Sequence, residues 1–204
     1  MLDKYKNHIH ERKKIGLPPL PLNAEKTADL INLLKERQGE DKSEILNILS
    51  TQVPAGVDQA AFVKAAFLND IASEKINLPS ISPVHAIKLL GTMLGGYNVQ
   101  ALVELLKSNH ADKAVEALSK ITLIFNAFYD VEELHKSGNN YATQLMHSWA
   151  NAEWFTNKKK IPDLIDAIVF RVDGEVNTDD LSPAQEAWSR ADIPLHAESM
   201  LQNK

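Results

Sequence analysis

Between residues 1 and 155 apolar side chains recur every three or four positions. Each such run is cut after roughly 9–16 residues by a capping residue, a glycine or a proline. A helix patterned this way has one apolar stripe and must bury it against a neighbour. Leu2, Tyr5, Ile9 and Ile15 line a basic first helix that Gly16 ends. Leu17-Pro18-Pro19-Leu20-Pro21 must then be extended, because proline removes N–H donors and restricts the residue before it. Asn23 is placed to cap a helix reaching Arg37, with Gly39 beyond its end. Asp41 and Glu44 have the spacing of a capping box and open a helix carrying Ile45, Ile48 and Leu49.

Val53-Pro54-Ala55-Gly56 reads as a turn, after which Asp58 caps a helix over 59–73. Ser82 followed by Pro83 opens the next helix, which stops at Gly95-Gly96. Asn98 is expected to cap a helix over 99–107. Helices over 111–119, over about 123–136 and from Asn139 through Phe155 complete the series. The chain is thus expected to be mainly α, with about ten short helices stacked as a HEAT-like α-α superhelix. A compact irregular bundle is the competing arrangement. Helix lengths and short connections favour the superhelix, although no repeated sequence signature is present.

At Lys158-Lys159-Lys160 the character changes. Ala167-Ile168-Val169-Phe170-Arg171-Val172 is apolar and rich in β-branched residues, and predicts a strand. One strand makes no sheet, so it is expected either to lie on the helical stack as an appendage or to belong to a sheet that has been cut away. Asn177-Thr178-Asp179-Asp180-Leu181-Ser182-Pro183 reads as loop, and residues 186–190 as a helical turn. The domain boundary is therefore placed between 1–160, all helical, and 161–204, the incomplete start of a second domain.

Charge follows the same division. The formal net charge is −5. Residues 1–16 hold five basic side chains (Lys4, Lys6, Arg12, Lys13, Lys14) against Asp3 and Glu11. Residues 161–204 hold three basic side chains against nine acids. A mildly acidic body argues against nucleic acid as an obligatory partner. The chain has no cysteine, which excludes thiolate catalysis and thiolate-held zinc or iron–sulfur clusters from these residues. No run of about 18 apolar residues is present to cross a membrane, and no apolar stretch follows the N-terminal charges, so a cytoplasmic location is expected.

Candidate chemistry is sparse. His8 and His10 point to different sides of a helix and are expected to be solvated. His85, His110, His135 and His147 show no metal-ligand spacing. Phe125, Phe128, Tyr129, Tyr141, Trp149, Trp154 and Phe155 fall at helical spacing, which reads as core. Leu90-Gly91-Thr92-Met93-Leu94-Gly95-Gly96-Tyr97-Asn98 permits close backbone approach. It is either a C-cap followed by an N-cap or a contact site for another domain. The segment 174–197 concentrates Asp179, Asp180, Ser182, Trp188, Arg190 and His196 in non-helical sequence, the pattern of a site. Arg190 is the anion-binding candidate, since its planar fork matches a carboxylate. A local pair with Asp179 or Asp180 is the equal alternative.

That segment also carries a resemblance. Gly174-Glu175-Val176-Asn177-Thr178-Asp179-Asp180-Leu181-Ser182-Pro183-Ala184, Ala187-Trp188-Ser189-Arg190 and Ile193-Pro194-Leu195-His196-Ala197 resemble the bacterial aconitase B family. Residues 90–98, Phe128-Tyr129-Asp130-Val131-Glu132-Glu133, Ser148-Trp149-Ala150 and Ala152-Glu153-Trp154-Phe155 agree in order. The resemblance implies a hydro-lyase that interconverts citrate and isocitrate through cis-aconitate, and in some members handles 2-methylisocitrate. It implies a HEAT-like domain, 1–160, and the truncated start of a swivel domain, 161–204.

By the same resemblance Arg190 holds a carboxylate of the tricarboxylate. No catalytic residue and no metal ligand falls in the chain. A 4Fe-4S iron–sulfur cluster belongs to the full-length enzyme and is not bound here, so the fragment alone is expected to be inactive. The implied partners are the remaining aconitase domains, a second copy in a homodimer, and messenger RNA; no membrane is implied. A free-standing helical-repeat interaction module is the alternative, and an RNA-binding regulator the weaker one.

Overall fold

A computed structural model describes residues 1–36, 41–187 and 196–202. The helices are α1 (Leu2–Lys14), α2 (Ala24–Glu36), α3 (Asp41–Thr51), α4 (Gln59–Ala72), α5 (Pro83–Leu90), α6 (Val99–Glu104), α7 (Ala111–Leu118), α8 (Ala127–Lys136), α9 (Asn140–Ala150) and α10 (Glu153–Thr156). Two single-turn helices follow, α11 (Thr178–Leu181) and α12 (Ala184–Ala187). The fold is mainly α, as expected.

Local chemistry sets most of the starts. Asn23 accepts from the Lys26 N–H at 2.9 Å. Asp58 accepts from Ala60 at 2.7 Å, Ser82 from His85 at 3.2 Å, and Asn139 from Ala142 at 2.9 Å. Each side chain satisfies one amide that the first helical turn leaves without a partner. α3 begins at Asp41 itself; the capping box expected there rests on a side chain outside those described. Gly16, at φ +74, ends the approach to the extended arm that follows α1.

Packing is between near neighbours in sequence. α4 lies on α2 and α5, α5 on α7, and α7 on α9. α3 flanks α2, α6 flanks α7 and α8, and α8 flanks α9. Every one of these pairs is one or two elements apart, which is consistent with a HEAT-like superhelix. One continuous core runs from Leu2 to Leu145, with Leu30, Leu34, Ile45, Leu49, Leu68, Leu90, Leu102 and Leu118 fully buried. Each such side chain contributes about 1.5–3 kcal/mol by leaving water.

Carbonyls at helix C-termini lack the next intrahelical partner, and here side chains from later elements donate to them. Lys64 of α4 donates to the Ser50 carbonyl at 3.2 Å. Asn98 Nδ2 donates to Leu90 at 2.8 Å, Asn139 Nδ2 to Leu106 at 3.0 Å, and Trp149 Nε1 to Leu118 at 3.2 Å. Each bond ties one helix end to an element packed beside it.

Several sequence expectations are corrected. The helix opened by Ser82 ends at Leu90, before the glycines. Asn98 stands at the N-cap of α6 but its side chain makes no capping bond, its amide being turned back to Leu90. The helix after it tightens into a 3₁₀ turn at Leu105–Lys107. α8 begins at Ala127, following Phe125 at φ +45. The long last helix is broken at Ala152, whose φ of +50 separates α9 from α10. The strand over 167–172 does not form among the described residues, and no sheet is present there. Ile168, Val169 and Phe170 are 98%, 94% and 80% exposed, as a strand without a neighbouring ladder must be.

Candidate functional site

Two regions answer to the residues singled out in the sequence. The first is the glycine-rich turn between α5 and α6. A Cβ on Gly95 would stand 2.4 Å from the Leu123 carbonyl oxygen, and one on Gly91 would stand 2.9 Å from the Ala117 Cβ. Gly96 meets Val57 in the same way at 3.0 Å. The turn therefore sits where three inter-helix loops converge. Leu94 N–H donates to the Ala55 carbonyl at 3.0 Å, and Tyr97 Oη donates to the Val57 carbonyl at 3.3 Å.

Several large apolar side chains point outward around this junction. Val57 and Phe125 are 73% and 72% exposed, and Phe62, Leu94 and Leu123 are about half exposed. The Phe62 and Tyr97 rings meet edge to face, with centroids 5.1 Å apart. Of the two readings given for the turn, the pair of caps holds in position, Gly91 at the C-cap of α5 and Asn98 at the N-cap of α6, although the Asn98 side chain makes no capping bond. The glycines serve close backbone approach.

The aromatic series 125–155 is not core. Only Phe128 and Trp149 are half-buried, with ring centroids 6.1 Å apart, while Phe125, Tyr129, Tyr141, Trp154 and Phe155 are exposed. The stack ends at α9 and α10, so no following described helix covers them. Ile121, Ile124, Phe128, Trp149 and Trp154 line a shallow cleft of about 250 Å³ there.

The second region is the C-terminal polar segment. Asn177 and Asp180 form a reciprocal capping box: Asn177 Oδ1 accepts from the Asp180 N–H at 2.9 Å and Asp180 Oδ2 from the Asn177 N–H at 3.0 Å. The expected loop is thus a helical turn, legible in hindsight from the Asn-x-x-Asp spacing. Ser182 Oγ lies 2.9 Å from His196 Nε2, and the Leu201 N–H donates to the Asp180 carbonyl at 2.7 Å. Arg190, the candidate substrate residue, lies outside the described residues, as do Trp188 and Ile193-Pro194-Leu195.

His8 is a residue whose role the sequence reading missed. It is half-buried, and its Nε2 accepts the Leu20 N–H at 2.9 Å. Burial is the main cause that lowers its pKa from the ordinary histidine value, with Arg12 and Lys26 adding to the effect. Among the described residues no group of three or more His, Cys, Asp or Glu is arranged to hold a metal ion. No helix among them is long and apolar enough to cross a membrane.

The architecture defines a class: a helical domain of short stacked helices with an apolar rim of loops, followed by a polar segment of single-turn helices. A family model described as "Aconitate B N-terminal domain" matches residues 4–155, and one described as "Aconitate hydratase 2 N-terminus" matches residues 167–204. The chain belongs to the aconitase B N-terminal domain family.

Similar proteins named Aconitate hydratase B occur in Synechocystis, at 52% identity over 208 residues, and in Escherichia coli K12, at 50% over 204. Another is that of Helicobacter pylori J99, at 44% over 206. All of this chain is covered in each comparison, but only 24% of each relative. The chain spans about a quarter of the length of the curated relatives it matches.

Proposed function

We propose that this chain serves as the N-terminal part of an aconitate hydratase, a hydro-lyase acting between citrate and isocitrate. The observation that carries this is the consecutive match of both segments to aconitase B family models. Residues 1–160 form the HEAT-like domain and 161–204 begin the swivel domain. The apolar rim of Val57, Phe62, Leu94, Leu123 and Phe125 is the surface on which the other aconitase domains pack and help wall a channel to the active site. Exposed apolar surface of this kind marks an interface.

Arg190 binds a carboxylate of the tricarboxylate through its guanidinium fork. The chain's own side chains do not fit an iron–sulfur cluster, because it has no cysteine. The 4Fe-4S group is assigned to the remainder of the enzyme. Purified residues 1–204 are expected to show no turnover of citrate or isocitrate after cluster reconstitution; measurable turnover would overturn the assignment. In a full-length enzyme carrying this sequence, Arg190→Ala should lower kcat/KM by about a hundredfold or more, the loss expected for a charged hydrogen bond to substrate. An unchanged kcat/KM removes Arg190 from the site.

A second reading, messenger RNA binding, is favoured by exposed Trp154 and Phe155 next to Lys158, Lys159 and Lys160. Aromatic rings stack on bases and lysines follow the phosphates. It requires an affinity that falls steeply with salt.

A further inference from the structure

The arm 17–22 contains three prolines, so only Leu17, Leu20 and Leu22 retain a backbone N–H. All three are bonded. Leu17 donates to the Arg12 carbonyl at 3.0 Å and Leu22 to the Gln52 carbonyl at 2.7 Å. Leu20 alone donates to a side chain, His8 Nε2, at 2.9 Å. One face of α1 supplies the grip: Tyr5 Oη donates to the Leu20 carbonyl at 2.8 Å and Arg12 Nε to the Pro18 carbonyl at 2.9 Å. Tyr5, His8 and Arg12 stand at i, i+3 and i+7, the spacing that places side chains on one side of a helix. Tyr5 and His8 stack, with ring centroids 5.8 Å apart.

We propose that His8 is an acid-released catch: as a neutral imidazole it holds the Leu20 end of the proline arm to α1, and on protonation it lets that end open. An imidazolium carries N–H on both nitrogens, so Nε2 then faces the Leu20 N–H donor to donor. The arm holds no ionisable group. Lys4, Glu11 and Arg12 on α1 are within the charge environment of His8 or its cleft, and Glu25, Lys26 and Asp29 face the cleft from α2. Arg12 and Lys26 oppose the proton, and Glu11 favours it. The folded chain thus binds this proton less readily than the unfolded chain. Stability conferred by the catch is complete above the ordinary histidine pKa of about 6.5 and declines as pH falls below it.

The test is amide hydrogen exchange of the whole 204-residue chain followed by NMR between about pH 7.5 and pH 5, beside the ring titration of His8. Leu17 and Leu22 bond to carbonyls and act as internal references. Leu20 is expected to lose about tenfold of its protection relative to Leu22, with the same midpoint as His8. His8→Gln, which keeps an acceptor that does not titrate in this range, should hold Leu20 protected throughout. His8→Phe should leave it unprotected at both ends. Constant Leu20 protection while His8 titrates in the unmodified chain would overturn the proposal. So would the same pH-dependent loss in His8→Gln.

Discussion

The two ends of this molecule hold similar apolar side chains in opposite circumstances. In the helical stack Leu90, Leu102 and Leu118 are fully buried. In the segment that follows, Ile161, Leu164, Ile168, Val169 and Phe170 lie almost wholly in solvent. The difference is one of hydrogen-bond reach. A helix pairs its own backbone and then needs only a neighbour for its stripe, which the next one or two elements provide. A strand pairs with another strand, and none is present among the described residues.

The contrast is most severely tested at Gly95, where φ is +99 and the Leu123 carbonyl leaves no room for a methyl. Gly95→Ala should lower stability of the stack by about 3–4 kcal/mol, read from urea denaturation. Asn139→Ala removes both an N-cap and the tie to Leu106, and should cost about 2 kcal/mol. If either variant is neutral, the loops are not what joins the helices.

Lys64 tests the stack from the other direction. It is 1% exposed, and burial lowers its pKa from 10.5 to about 8. Between those values the unfolded chain binds more protons than the folded one, so stability should rise with pH across that window. Lys64→Met should abolish this rise. It should also raise stability near pH 7 by about 1–2 kcal/mol, the relieved desolvation less the lost bond to Ser50. A pH-independent unmodified chain would contradict this. The smallest effect belongs to the tail: Phe170→Asp should change stability of the 204-residue chain by no more than about 0.5 kcal/mol. A larger loss would mean that the tail shares the core.

Much of the helical order was legible because it is local. The caps at Asn23, Asp58 and Ser82 follow from one residue and the run after it. Asn98 looked the same and behaved otherwise, since its buried amide donates to the Leu90 carbonyl, which also accepts from the Met93 N–H. Burial of the aromatic series failed for a related reason. Spacing shows that residues share a face but not whether anything covers it, and Tyr129 and Phe155 lie exposed. In the polar segment, residue types were legible but the turn was missed. His8, expected to be solvated, is half-buried against a backbone N–H twelve residues away, a partner that no local pattern shows.

The sequence by itself determined that the chain is a succession of short helices and which family its long motifs belong to, because helix periodicity and motif identity are properties of neighbouring residues. Only the tertiary structure decided where Asn98, Lys64 and His8 make their hydrogen bonds, and that Gly91 is demanded by the approach of α7 and Gly95 and Gly96 by approaching loops. Those choices depend on which carbonyl or amide the packing brings within 3 Å or so, and no local pattern encodes that distance.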